Sequence, residues 1–65
     1  MTGYSEETKF YIFQAMAKYG GNFVTKLAEA WFAADQFNKQ KLEATFNDYM
    51  EDYGPNSVFF KSLSL

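Results

Sequence analysis

Apolar residues recur along this chain at intervals of three and four, the spacing of helices that pack on one another. In the first such stretch Phe10, Ile12, Phe13, Met16, Ala17 and Tyr19 spread over more than half the circumference of a helical projection, leaving a narrow polar strip of Glu7, Gln14 and Lys18. A helix with so wide an apolar arc must be covered on two sides. Its start is marked by Ser5, a hydroxyl able to cap open N–H groups, followed by Glu6 and Glu7 near the positive end of the dipole. Its end is marked by Gly20-Gly21, where glycine can take the left-handed conformation that stops helices. The first helix is therefore predicted from about Glu6 to Tyr19.

Asn22 can cap a second helix from about Phe23 to Ala34, with Phe23, Leu27, Ala30, Trp31 and Ala34 on one face. Its alanines let a neighbour approach closely. Asp35 reads as the cap of a third helix from about Gln36 to Tyr53, whose apolar stripe is Leu42, Phe46, Tyr49, Met50 and Tyr53. Asn38 stands where a Glu or Gln would complete a capping box, so a single kinked helix spanning both segments is the alternative. Gly54-Pro55 stops the third helix. In the remaining segment, from Asn56 to Leu65, Asn56 can cap a further turn or two, whereas Ser62-Leu63-Ser64-Leu65 alternates like a strand with nothing to pair with. The expectation is an all-α fold: a small three-helix bundle, one domain over residues 1–65, closed by a short C-terminal helix or arm packed on it.

With 65 residues there is room for one core, and domains of this size are marginally stable unless stapled or associated. Cysteine and histidine are both absent. That removes disulfides, the usual zinc sites, thiol nucleophiles and imidazole bases, since Asp, Glu and Lys do not replace those chemistries. No catalytic residue, metal ligand or cofactor-binding residue stands out, and the expectation is a protein that is not an enzyme. The net charge is −2 and all six basic residues are lysines, scattered from Lys9 to Lys61. This argues against nucleic acid as a partner, because phosphate clamping and base readout lean on arginine forks and concentrated basic surfaces. No apolar run is long enough to span a bilayer and no signal-peptide pattern opens the chain, so the expected location is the cytoplasm.

The candidate binding residues begin with Asp48, Glu51 and Asp52 in the run Asn47-Asp48-Tyr49-Met50-Glu51-Asp52-Tyr53. On a helix running to Tyr53 these carboxylates oppose the dipole, and Asp48 and Asp52 repel across one turn, each effect costing a few tenths of a kcal/mol. Read functionally, they are an acidic strip flanked by tyrosine that docks on a basic surface, such as the nucleic-acid channel of another protein. Read structurally, they are a solvated face offset by Lys61 or another lysine folded back. Three carboxylates along one helix face do not enclose a metal ion.

Aromatic residues make up 22% of the chain, and several lie off the core stripes. Phe32 projects about 100° from the face of Phe23, Leu27 and Trp31, and Phe37 and Tyr11 are displaced on their own helices. The tail, with Val58, Phe59, Phe60, Leu63 and Leu65, can cover one such face. The alternative is a partner protein or a homodimer with aromatic anchors, Phe32, Phe37, Phe59 and Phe60 among them, at the centre of the interface. The second and third helices, joined at Asp35, also match a helix-turn-helix, but the would-be recognition helix carries only Lys39 and Lys41 before turning acidic.

The stretch from Tyr19 to Tyr53 contains Gly-Gly-Asn-Phe-Val-Thr-Lys-Leu-Ala-Glu-Ala-Trp, then Ala-Ala-Asp, then Leu-Glu-Ala-Thr-Phe-Asn-Asp-Tyr. It resembles small helical accessory proteins of bacteriophages and prophages, over about half the chain and chiefly in core residues and caps. Gln36 departs from the Pro that such sequences often carry there. The resemblance implies a small inhibitor or modulator that binds a host protein complex, in defence or nucleic-acid handling, within the host cytoplasm. It carries no functional residue across. A self-associating structural bundle and, behind it, a helix-turn-helix DNA binder are the competing expectations.

Overall fold

The computed structural model describes residues 4–63, and these form five helices without a strand. They are α1 (Glu6–Tyr19), α2 (Asn22–Ala33), α3 (Gln36–Thr45), α4 (Asn47–Asp52) and α5 (Val58–Lys61). The all-helical expectation holds for this part of the chain. None of the helices is long and apolar enough to cross a membrane.

At the start of α1 the Ser5 hydroxyl accepts a hydrogen bond from the Thr8 N–H at 3.1 Å, the cap expected from its position. The helix buries Ile12, Phe13, Ala15 and Met16, while Phe10 and Tyr19 reach the surface. This wide arc is covered from several sides, by α2, α4 and α5. The stop after Tyr19 has a different cause from the one expected. Gly20 lies at φ −75° and ψ 162°, extended backbone open to any residue. What requires glycine is space: a Cβ there would collide with the Met16 carbonyl oxygen and with Cγ1 of Val24. The glycine is where α2 turns back against the end of α1.

Gly21, not Asn22, is the cap residue of α2, and no side chain caps that end. The buried face is also rotated from the expected one. Val24, Leu27, Ala28 and Trp31 point inward, at the i, i+3, i+4, i+7 spacing, and Phe23 and Ala30 point out. Both patterns are helical, but only the first leaves the two alanines Ala30 and Ala33 on the water side, where they cost nothing. Asp35 separates α2 from α3 and caps the latter through its Oδ1, which accepts from the Asn38 N–H at 2.8 Å. The kinked continuous helix is thereby excluded.

The expected third helix breaks at Phe46, which has φ −113° and ψ 33° and ends α3 while starting α4. Thr45, Phe46 and Asn47 are weak helix formers in succession, and the break lets the Phe46 ring pack against the core beside Phe23 and Tyr49. Met50 of α4 is fully buried, so this short helix inserts its anchor where α3 does not reach. After Pro55, Ser57 instead of Asn56 caps α5, its Oγ accepting from the Phe60 N–H at 3.2 Å. Ser62 and Leu63 lie in a turn, not a strand; Ser64 and Leu65 of the alternating pattern fall outside the described residues.

The core is aromatic and sulfur-rich. Phe13 stacks face to face on Trp31, with ring centroids 4.4 Å apart and planes 4° from parallel. Ile12, Phe13, Met16 and Met50 are fully buried. Each such side chain contributes about 1.5–3 kcal/mol relative to exposure, which is large for a domain of this size.

Candidate functional site

Of the expected binding residues, Asp48, Glu51 and Asp52 all lie on α4 and all three are exposed. The break at Phe46 changes their electrostatics. Asp48 now sits in the first turn of a new helix, where a carboxylate is favoured by the dipole, and its Oδ1 accepts from the Tyr49 N–H at 2.9 Å. The dipole argument therefore survives only for Glu51 and Asp52 at the far end. Glu51 accepts a hydrogen bond from the Asn47 side-chain amide at 3.0 Å. Among the described residues neither Lys61 nor any other lysine forms an ion pair with the three; both ion pairs found there are made by Lys9. The flanking tyrosines turn inward. Tyr49 packs with Phe23 and Phe46, and Tyr53 stacks on Phe59 at 4.9 Å.

The aromatic candidates separate into two groups. Phe59 is half-buried between Tyr53 and Tyr19, and Phe60 is half-buried edge-on to Tyr11 and packed on the core. The tail thus covers Tyr11, Tyr19 and Tyr53 within the chain. Phe32 meets Phe10 edge to face at 5.5 Å and Trp31 at 5.2 Å, yet keeps an exposed face. Phe37 is 65% exposed, with the Lys41 ammonium over its ring at 4.9 Å. Phe32 and Phe37 flank the α2–α3 turn, on elements separate from the carboxylates of α4.

The polar cluster around Trp31 was not foreseen from the sequence. Glu43, only 5% exposed, accepts from the Trp31 indole N–H at 3.0 Å through Oε2 and from the Lys9 ammonium at 3.0 Å through Oε1. Lys9, its side chain 14% exposed, also binds Glu6 at 3.0 Å, and the Lys39 ammonium lies 4.3 Å over the Trp31 ring. The hydrogen bond to Glu43 raises the Lys9 pKa above the ordinary lysine range; burial opposes this and Glu6 adds to it. Glu6 is shifted down, first by its hydrogen bond to Lys9 and then by the Lys9 charge. One signal was available: a buried Trp N–H needs an acceptor, and Glu43 follows Lys39 by one helical turn on the side that faces α2.

This arrangement ties α3 to α1 and α2 through one buried carboxylate. Every buried side-chain nitrogen and oxygen among the described residues has a partner, and no group of three or more carboxylates among them is placed to hold a metal ion. Comparison of the chain with protein-family models, with curated proteins and with solved structures returns no match.

Proposed function

We propose that the chain is a small non-enzymatic protein-binding module of the cytoplasm, a three-helix bundle whose third arm is α3 and α4 together and whose closing segment is α5. It docks the acidic end of α4 on a basic surface of another protein. The observation that carries this reading is an asymmetry among carboxylates: the buried Glu43 is matched by Lys9 and Trp31, whereas Asp48, Glu51 and Asp52 face water with no lysine paired to them among the described residues. Like charges without a cation on one short helix favour a positively charged partner and speed its encounter. The resemblance to phage accessory proteins makes the partner a host complex, in defence or nucleic-acid handling, that is inhibited or modulated by occupation of its surface.

The test is affinity capture from a bacterial lysate with two baits, the parent chain and the variant carrying Asp48→Ala, Glu51→Ala and Asp52→Ala. The proposal expects a partner retained by the parent at low salt and missing from the variant. Equal capture by both baits refutes the acidic mechanism. A second reading, self-association, is favoured by the exposed rings of Phe37 and Phe23 and by Val58, which is 70% exposed. Sedimentation at micromolar concentration decides it, since a monomer throughout removes that reading.

A further inference from the structure

The third helix of this fold is held in an unusual way. The helices α1 and α2 each bury four residues, all of them apolar, but the only buried side chain of α3 is a carboxylate, Glu43. Its apolar contribution is the half-buried Leu42. No Cα atom of α3 lies within 8 Å of any Cα of α1, so the two helices are bridged by side chains: Glu43 to Lys9, and Gln36 toward Glu6. On the other side, α3 meets α2 through the Trp31 N–H bond to Glu43 and the Lys39 ammonium over the indole. Both ends of α3 are breaks in helical geometry, at Ala34 with φ −80° and ψ 150° and at Phe46 with φ −113° and ψ 33°.

We propose that α3 is a polar latch, a segment that opens as a unit between Ala34 and Phe46 while α1, α2 and α4 remain packed, and that opening uncovers the indole of Trp31. A carboxylate suits this role. An apolar anchor on the underside of α3 would hold it shut and would expose bare hydrocarbon on release, whereas Glu43 and Lys9 are each solvated when apart. Buried ion pairs bring little net stability over apolar replacements, so a sequence selected for cohesion alone has no need of one here. A ten-residue helix does not hold its own hydrogen bonds in water, so release also melts it and opens its amides to exchange. The free energy of that opening is local, below the global unfolding free energy that governs the amides of Phe13 to Met16. This property belongs to the chain whatever partner it binds.

Native-state hydrogen exchange on the full chain tests the latch. Amides of residues 40–45 are expected to be at least tenfold less protected than those of residues 13–16, and to share one urea dependence, measurable but smaller than that of residues 13–16, because opening of α3 exposes only part of the surface that global unfolding exposes. Ile12→Val, which weakens the α1 packing, is expected to accelerate exchange at residues 13–16 a few-fold and leave residues 40–45 unchanged. Glu43→Gln, which keeps an acceptor for Trp31 but removes the charge facing Lys9, is expected to accelerate residues 40–45 about tenfold and to increase acrylamide quenching of Trp31, the chain's single tryptophan. Equal protection of the two sets of amides in the parent, or equal acceleration of both by Ile12→Val, overturns the proposal. The parent and Ile12→Val measurements decide it even where Glu43→Gln does not fold.

Discussion

Replacing Gly20 by alanine puts the α1–α2 connection to a quantitative test. The added methyl meets three atoms: the Met16 carbonyl oxygen, Cγ1 of Val24, and Cβ of Val24 at 2.7 Å. None is the end of a flexible side chain. The Met16 carbonyl already accepts the Gly20 N–H at 2.9 Å, and Val24 is a buried β-branched residue with a stiff χ1. Relief therefore requires the backbone of the connection to move, and with it the Gly20 carbonyl that accepts from the Thr25 hydroxyl at 3.3 Å. Overpacking of this kind costs about 1–3 kcal/mol, offset by about 0.4–1 kcal/mol because alanine restricts the unfolded chain. The net loss, about 1–2 kcal/mol, is a large share of the ~3–10 kcal/mol expected for a domain of 65 residues. Thermal melts followed by far-UV circular dichroism should show a drop in Tm of about 5–15 °C. Gly21 is the internal control. A Cβ there meets nothing within 4 Å, its φ of −73° suits any residue, and serine would supply the side-chain cap that α2 lacks. Gly21→Ser is expected to gain about 0.5–1 kcal/mol from capping and reduced chain freedom together. A Gly20→Ala protein that melts at or above the parent temperature refutes the close-approach argument.

Two further outcomes follow from the caps and from the buried lysine. Asp35→Ala removes the bond to the Asn38 N–H and is expected to lower stability by about 1 kcal/mol in urea denaturation, with Asp35→Ser restoring most of it. Because the folded pKa of Lys9 is raised above 10.5, its stabilising effect is complete below that pH and is lost as the pH rises through the raised value. Lys9→Arg keeps its charge through that range, so the difference in stability between it and the parent is expected to shift in favour of arginine as the pH climbs past 10.5. An unchanged difference across that range refutes the stabilising role assigned to the Lys9 charge.

Much of the fold could be read along the chain because local chemistry decided it. Ser5 and Asp35 cap where a hydroxyl or carboxylate precedes an apolar-periodic run, and the wide arc of α1 demanded the cover that α2, α4 and α5 provide. The misreadings arose where tertiary packing chose between local options of similar energy. Either face of α2 is helical in period; packing against α1 and its Phe13 selected Val24 and Ala28 over Phe23 and Ala30. The Thr45-Phe46-Asn47 break is a weak propensity signal that becomes decisive only because Phe46 and Met50 reach the core on the far side of it. The sequence suggests a conformational stop at Gly20 because glycine's more frequent reason for ending a helix is backbone freedom, whereas steric clearance depends on Val24 arriving from the next helix. The acidic strip was legible as composition, but its placement in a separate helix, with Asp48 at the favourable end, was not. Glu43 was hidden because a charged residue beside Leu42 reads as surface until the Trp31 indole and Lys9 are seen to converge on it.

The central claim, recognition of a basic protein surface by the carboxylates of α4, is tested most directly by the salt dependence of binding to the captured partner. Titrations at low and at physiological ionic strength compare the parent with the Asp48→Ala, Glu51→Ala, Asp52→Ala variant. Three exposed pairs at roughly 0.2–1 kcal/mol each predict that the variant binds about 3- to 150-fold more weakly at low salt, and that its affinity changes far less than the parent's as salt is added. Parent and variant affinities that coincide at both ionic strengths contradict the account.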